Sequence, residues 1–108
     1  MSTVLVLARA QMGDGDKTLG QKILGTFLRK SAALAGLRSI LLYNDGVKLV
    51  AAGSPVLTEL KLLEEAGVEI VPCGTCLEFH GIAPAVGKTG NMDQIVSEMG
   101  KALKVLTL

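Results

Sequence analysis

Four short runs in this chain are apolar almost without interruption: TVLVLA (3–8), SILLY (39–43), VEIV (68–71) and KVLTL (104–108). β-Branched residues are frequent in them, and strict apolar–polar alternation is absent. Successive side chains of a strand point to opposite faces, so a half-solvated strand alternates. An unbroken run belongs to a strand covered on both faces. Parallel neighbours also need crossovers long enough to hold a helix. The pattern therefore points to a mostly parallel sheet between two layers of helices, an α/β fold of the three-layer α/β/α kind.

The segments between the runs carry helical patterns. In residues 17–35, Leu19, Ile23, Leu24, Phe27, Leu28 and Leu34 recur at helical spacing, and Gly36 suits the C′ position. A second helix opens at GSPVLTEL, with Ser54 as N-cap and Pro55 at the first helical position. Val56, Leu60 and Leu63 form its buried stripe, and Gly67 ends it. The last helix opens at NMDQ, where Asn91 can cap and Gln94 sits at N3; Ile95, Val96, Met99 and Ala102 are expected to face inward. A short extra strand at Ala85–Gly87 would bring the sheet to about five strands. Residues 1–108 are expected to form a single domain.

Composition refines this. The chain is 49% hydrophobic with three aromatics, so aliphatic side chains must fill the core. A mean hydropathy of +0.47 is high for so small a domain; it fits strands buried on both faces or an apolar patch covered by another subunit, and both are expected, the second as a homo-oligomer. Eleven basic and ten acidic residues are spread along the chain, and the longest basic cluster is Arg29-Lys30. No concentrated positive field exists for a phosphate backbone, which argues against a nucleic-acid partner. The N-terminus MSTVLVLARAQ lacks a basic region ahead of its apolar run. No apolar stretch approaches the roughly 20 residues that span a bilayer, so no membrane association is expected. A cytoplasmic location follows as the expectation, and there thiols stay reduced, so the cysteines read as chemical ahead of structural.

Both cysteines and the only histidine lie in VPCGTCLEFHG, residues 71–81. Ligands of open parallel sheets bind beyond the carboxyl ends of the strands. Four polar, glycine-bearing segments fall there: ARAQMGDGDKT, NDGVKL, CGTCLEFHG and VGKTGNM, of which three are expected to share one rim. Cys73 follows the strand VEIVP directly. A helix starting at Gly74 would place its sulfur at the helix N-terminus, where the dipole favours a thiolate. The alternative is a small buried hydrophobe at a strand end. Cys76 lies close to one turn further on. The C-x-x-C pair is open to a dithiol reading. Zinc would require Cys73, Cys76, His80 and a carboxylate or water, a set too short to assign a metal or cofactor. His80 is either a proton donor that tunes a thiol or an ordinary helix-end residue. GIAPAVGKT places five residues between Gly81 and Gly87 where a phosphate loop needs four, which rejects ATP binding. GDGD at 13–16 reads as a turn and not a calcium site, since no EF-hand continuation follows.

The order of motifs MGDGDKTLGQKIL, LLYNDGVKLVAAGSPVLTELKLLEEAGVEIV, CGTCLEFHGI and VGKTGNMDQIV resembles the DsrE/DsrF-like family, in particular the DsrE-like domains of YedF-like selenium-metabolism proteins. The resemblance runs from about residue 10 to the end. Its most specific parts are NDGVKL, GSPVL with the Leu-rich helix, CGTCL and Asn91-Met92. It implies a DsrE/DsrF-like α/β/α fold, usually assembled as a homo-oligomer. In sulfur-relay members of that superfamily a cysteine just after a central strand accepts sulfane sulfur as a persulfide, and Cys73 falls at that place. His80 stands where an aromatic is frequent, and Asp93 where a tyrosine is common. The TusA-like domain that accompanies such proteins is not in this sequence, which implies a separate protein as sulfur donor or acceptor.

The resulting expectation is a sulfur (or selenium) carrier of the sulfurtransferase type. Cys73 would hold the terminal sulfur, and Cys76 would resolve it or support the turn. N–H groups from Gly74 through Thr75 to Cys76 would stabilise the anionic persulfide. Asn44, Asp45 and Asn91 are rim candidates for orienting the partner, with helix capping as a competing role for Asn91. A non-enzymatic oligomeric binding or assembly module, and a C-x-x-C dithiol redox protein, stand as alternatives.

Overall fold

The computed structural model describes residues 2–108. The apolar runs form β1 (Thr3–Leu7), β2 (Leu37–Leu42), β3 (Glu69–Pro72) and β4 (Lys104–Thr107). The helices are α1 (Lys17–Lys30), α2 (Leu57–Glu65), α3 (Gly74–His80) and α4 (Met92–Lys101). Short 3₁₀ segments occupy Ser31–Ala33 and Asn44–Val50. The strands lie in the order β3-β2-β1-β4, and every pairing is parallel.

Register explains why the runs do not alternate. Leu106, Leu5, Ile40 and Ile70 stand abreast across the sheet, and the next row is Thr107, Val6, Leu41 and Val71. The first row packs with Leu24 and Leu28 of α1, Val56 and Leu60 beside and within α2, and Val47, Leu49 and Val50 of the 3₁₀ segment. On the opposite face Val4, Val6, Leu41 and Val71 pack with Ile95 of α4 and with Cys73. Burial of each such side chain is worth about 1.5–3 kcal/mol, so both faces contribute to stability. All five residues of β1 are buried, whereas β4 is a largely exposed edge.

Four expectations are corrected. The buried face of α1 is Gly20, Leu24, Gly25 and Leu28, while Leu19 and Ile23 are exposed, because α1 rests on its glycines. Helix α2 starts at Leu57 and not at Pro55. The Leu57 N–H donates to the Ser54 carbonyl at 3.3 Å and the Val56 N–H to Ser54 Oγ at 3.2 Å, so Ser54 holds a turn ahead of the helix. On α4, Ile95 is buried but Val96 is 60% exposed, and Glu98 is turned inward at 7%. The Glu98 carboxylate accepts from Arg38 Nε at 3.2 Å, Arg38 Nη2 at 3.3 Å and Ser39 Oγ at 3.1 Å, which fixes that rotation.

The fourth concerns the sheet, which has four strands among the described residues. At Ala85–Gly87 the backbone turns to other partners: Ala85 N–H donates to Val50 O at 2.7 Å and Gly87 N–H to Glu64 Oε2 at 2.9 Å. Ladder-like bonding comes just later. Lys88 N–H donates to Ile70 O at 3.0 Å and Gly90 N–H to Pro72 O at 2.9 Å, with one bridge pairing Cys73 and Gly90. The end of α2 follows the sequence closely. Gly67, at φ 100°, donates to Glu64 O, and Val68 donates to Leu63 O, a Schellman closure. No helix among the described residues is long and apolar enough to cross a membrane.

Candidate functional site

Chain reversals at the carboxyl ends of β2 and β3 build one cleft. After β2, Tyr43 N–H donates to Leu7 O at 3.3 Å, and Gly46 N–H to Tyr43 O at 3.0 Å. The 3₁₀ segment then folds over the end of β1 and anchors itself with buried Val47, Leu49 and Val50. Gly46 lies flat on β1: a Cβ there would collide with the Leu7 carbonyl oxygen. Asn44 carries the strain of this reversal. Among the described residues it is the one non-glycine residue at positive φ, 52°. Its backbone N–H consequently points across to α3 and donates to Cys76 Sγ at 3.1 Å.

The two cysteines occupy unlike places. Cys73 caps α3, is 2% exposed, and packs in the apolar layer beneath α4. Its N–H donates to Leu42 O at 2.9 Å and its carbonyl accepts from Leu77 at 3.0 Å. Cys76, half-buried, lines a cleft of about 620 Å³ with Tyr43, Asn44, Thr75, Phe79, His80 and Met92. Both are free thiols. Burial pushes the Cys76 thiol above its ordinary 9.0, the Asn44 N–H opposes the shift, and the adjacent Cys73 sulfur adds to it.

His80 and Asp45 meet at the cleft's edge, with Nε2 and Oδ1 3.4 Å apart. The same Oδ1 lies 3.5 Å from Lys48 Nζ. Asp45 also borders a neighbouring depression of about 380 Å³ with Arg9, Gln11, Asp14, Lys17 and Lys48. The structure thus brings Asn44, Thr75, Cys76 and His80 round one space, with Asp45 paired to His80.

Three sequence-stated candidates sit elsewhere or are otherwise engaged. The Cys73 sulfur is inside the core. The Gly74 N–H donates to Gly90 O at 3.0 Å, so it is not turned to a ligand on either sulfur. Asn91 Oδ1 accepts from Gln94 N–H at 2.8 Å as the cap of α4, and it is Met92, not Asn91, that reaches the cleft. Tyr43, Phe79 and Met92 escaped the sequence reading as lining residues. Phe79 is 84% exposed three positions after Cys76, an aromatic on the cysteine's side of a helix, and that spacing was the available signal. Among the described residues no three His, Cys, Asp or Glu side chains are grouped to hold a metal ion.

No protein-family model matches the chain, and no curated protein matches it. Solved structures do. The YchN protein of E. coli is similar over 100% of both chains, with a TM-score of 0.73 at 18% identity. MTH1491, a protein of unknown function from Methanobacterium thermoautotrophicum, covers 99% of this chain and 98% of its own, with a TM-score of 0.71 at 17% identity. BT1422, a conserved protein of unknown function from Bacteroides thetaiotaomicron, reaches 0.68 at 22% identity over 99% and 95%. At such identities the likeness is one of fold, and the fold is shared with YchN.

Proposed function

We propose that this protein is a sulfur carrier of the sulfurtransferase type, related to the YedF-like branch of the DsrE-like proteins, and that Cys76 is the sulfur-bearing residue. The observation that carries this is the Asn44 N–H aimed at Cys76 Sγ from 3.1 Å at the wall of an open 620 Å³ cleft. That donor stabilises negative charge on Sγ, which a thiol needs both to attack and to leave. The shared DsrE-like fold is compatible with the role.

In loading, the Cys76 thiolate attacks the terminal sulfur of a donor persulfide; the new S–S bond forms as the donor's S–S bond breaks and its thiolate departs. In discharge an acceptor thiolate attacks the same sulfur and Cys76 leaves. Relative to the sequence expectation the two cysteines exchange roles: Cys73, beneath, supports the turn. Phe79 and Met92, exposed beside the cleft, would meet the donor or acceptor protein.

The test is incubation of the reduced protein with a cysteine desulfurase and L-cysteine, followed by peptide mass mapping. A one-sulfur increment on Cys76, lost in Cys76→Ser and kept in Cys73→Ser, is expected. Absence of sulfur on either cysteine overturns the carrier role. The packing of Cys76 against the apolar cluster that holds Cys73 favours one second reading, a dithiol redox pair, for which a reversible Cys73–Cys76 disulfide would form without sulfur uptake.

A further inference from the structure

We propose that His80, held by Asp45, is the acid–base residue that serves Cys76. This rests on the carrier role proposed above and deepens it. Cys76 and His80 are four residues apart on α3, a spacing that puts both on one face of the helix. Both line the same cleft. The His80 side chain is only 16% exposed, and its ring lies edge-on to Phe79 with centroids 5.1 Å apart. Nε2 is the nitrogen turned to Asp45 Oδ1 at 3.4 Å, so Nδ1 is the nitrogen not engaged by that carboxylate. The charged and titratable groups around the ring are Asp45 and Lys48 from the 3₁₀ segment, Tyr43 at the end of β2, and Cys76 on its own helix.

Chemistry supplies the need. A half-buried thiol resists ionisation, so Cys76 must hand over its proton to attack and recover one to leave. In loading, neutral His80 takes the Sγ proton, Sγ bonds to the donor's terminal sulfur, and the electron pair of the broken S–S bond leaves with the donor thiolate. In discharge, an acceptor thiolate bonds to the carried sulfur, the bond from Sγ breaks, and the departing Sγ takes the proton of the His80 imidazolium. Both steps exchange one S–S bond for another and need no external oxidant. His80 is then a catalytic residue and Asp45 a positioning residue.

The experiment loads the full chain with a cysteine desulfurase and L-cysteine, removes small molecules, and follows single-turnover discharge to glutathione by mass from about pH 5.5 to about 9. Rates are expressed per glutathione thiolate. Wild type is expected to lose rate as pH rises and the general acid is depleted. His80→Gln is expected to load and discharge about 100-fold more slowly and to lose that limb. Asp45→Asn should slow both steps, and the conservative Asp45→Glu should restore them. Wild-type rates and pH profile in His80→Gln overturn the proposal while leaving the carrier role intact. Failure of wild type to load at Cys76 overturns the carrier role, and this proposal with it.

Discussion

The backbone N–H of Asn44 lies 3.1 Å from the sulfur of Cys76, a residue 32 positions later in the chain. This contact joins the reversal after β2 to the helix after β3, and it favours the thiolate at Cys76. Burial and the neighbouring Cys73 both favour the neutral thiol and outweigh it. Iodoacetamide should therefore label Cys76 slowly at neutral pH, with a midpoint above 9.0. Removal of Cys73 by Cys73→Ala should lower that midpoint. The sign for stability follows. The unfolded thiol loses its proton first, so stability contributed by neutral Cys76 is full below pH 9.0 and declines above it. Denaturation midpoints compared between neutral and alkaline buffer, in wild type and Cys76→Ser, would expose a wrong sign.

Asn44 itself sits at φ 52°, where a β-branched residue is strained. Asn44→Gly keeps the N–H and relaxes the backbone, so stability and the Cys76 labelling profile should hardly change. Asn44→Val should lose about 1–3 kcal/mol and raise the Cys76 midpoint further, as the N–H turns away. Equal behaviour of the two variants in urea unfolding and labelling would remove the geometric argument.

How far the sequence discloses this site is set by which facts are local. Strand positions are local: the unbroken runs at 3–8 and 39–43 coincide with β1 and β2 because both faces are covered. The caps at Asn91 and Gly67 are local too. The inequality of the cysteines was half legible. Side chains two apart on a strand share a face, so Cys73 continues the row of Val71 into the layer under α4, and only the knowledge of which helix covers that face was lacking. The Asn44 contact was not legible, since it depends on the 3₁₀ segment closing over β1. Val96 misled for a similar reason: helical periodicity sets a stripe's width, and the buried carboxylate of Glu98 sets its rotation.

That closure rests on Gly46. Any Cβ at this position runs into the Leu7 carbonyl, and backbone cannot step aside as a flexible side chain can. Gly46→Ala should lose about 3 kcal/mol and loosen the Asn44 contact, so that Cys76 labelling and unfolding both change. Gly15→Ala, with nothing near its would-be Cβ, is the control and should stay within about 0.5 kcal/mol of wild type.

The Arg38–Glu98 pair predicts an asymmetric mutational cost. Glu98 is almost fully buried, while the Arg38 side chain is 45% exposed. Deleting the glutamate lets the guanidinium return to water; deleting the arginine leaves a carboxylate in the interior with Ser39 as its remaining partner. Arg38→Ala should therefore cost about 2–3 kcal/mol, and Glu98→Leu less, because it replaces a buried charge with an apolar side chain of similar bulk. The double variant should be more stable than Arg38→Ala alone. Glu98 also fixes the rotation of α4, which begins at the cleft residue Met92. A tilt of α4 in Arg38→Ala should then change the accessibility of Cys76 to iodoacetamide, whereas Glu98→Leu, which keeps the helix seated, should not. If Arg38→Ala proves no worse than Glu98→Leu, the buried charge is not what holds α4 in place.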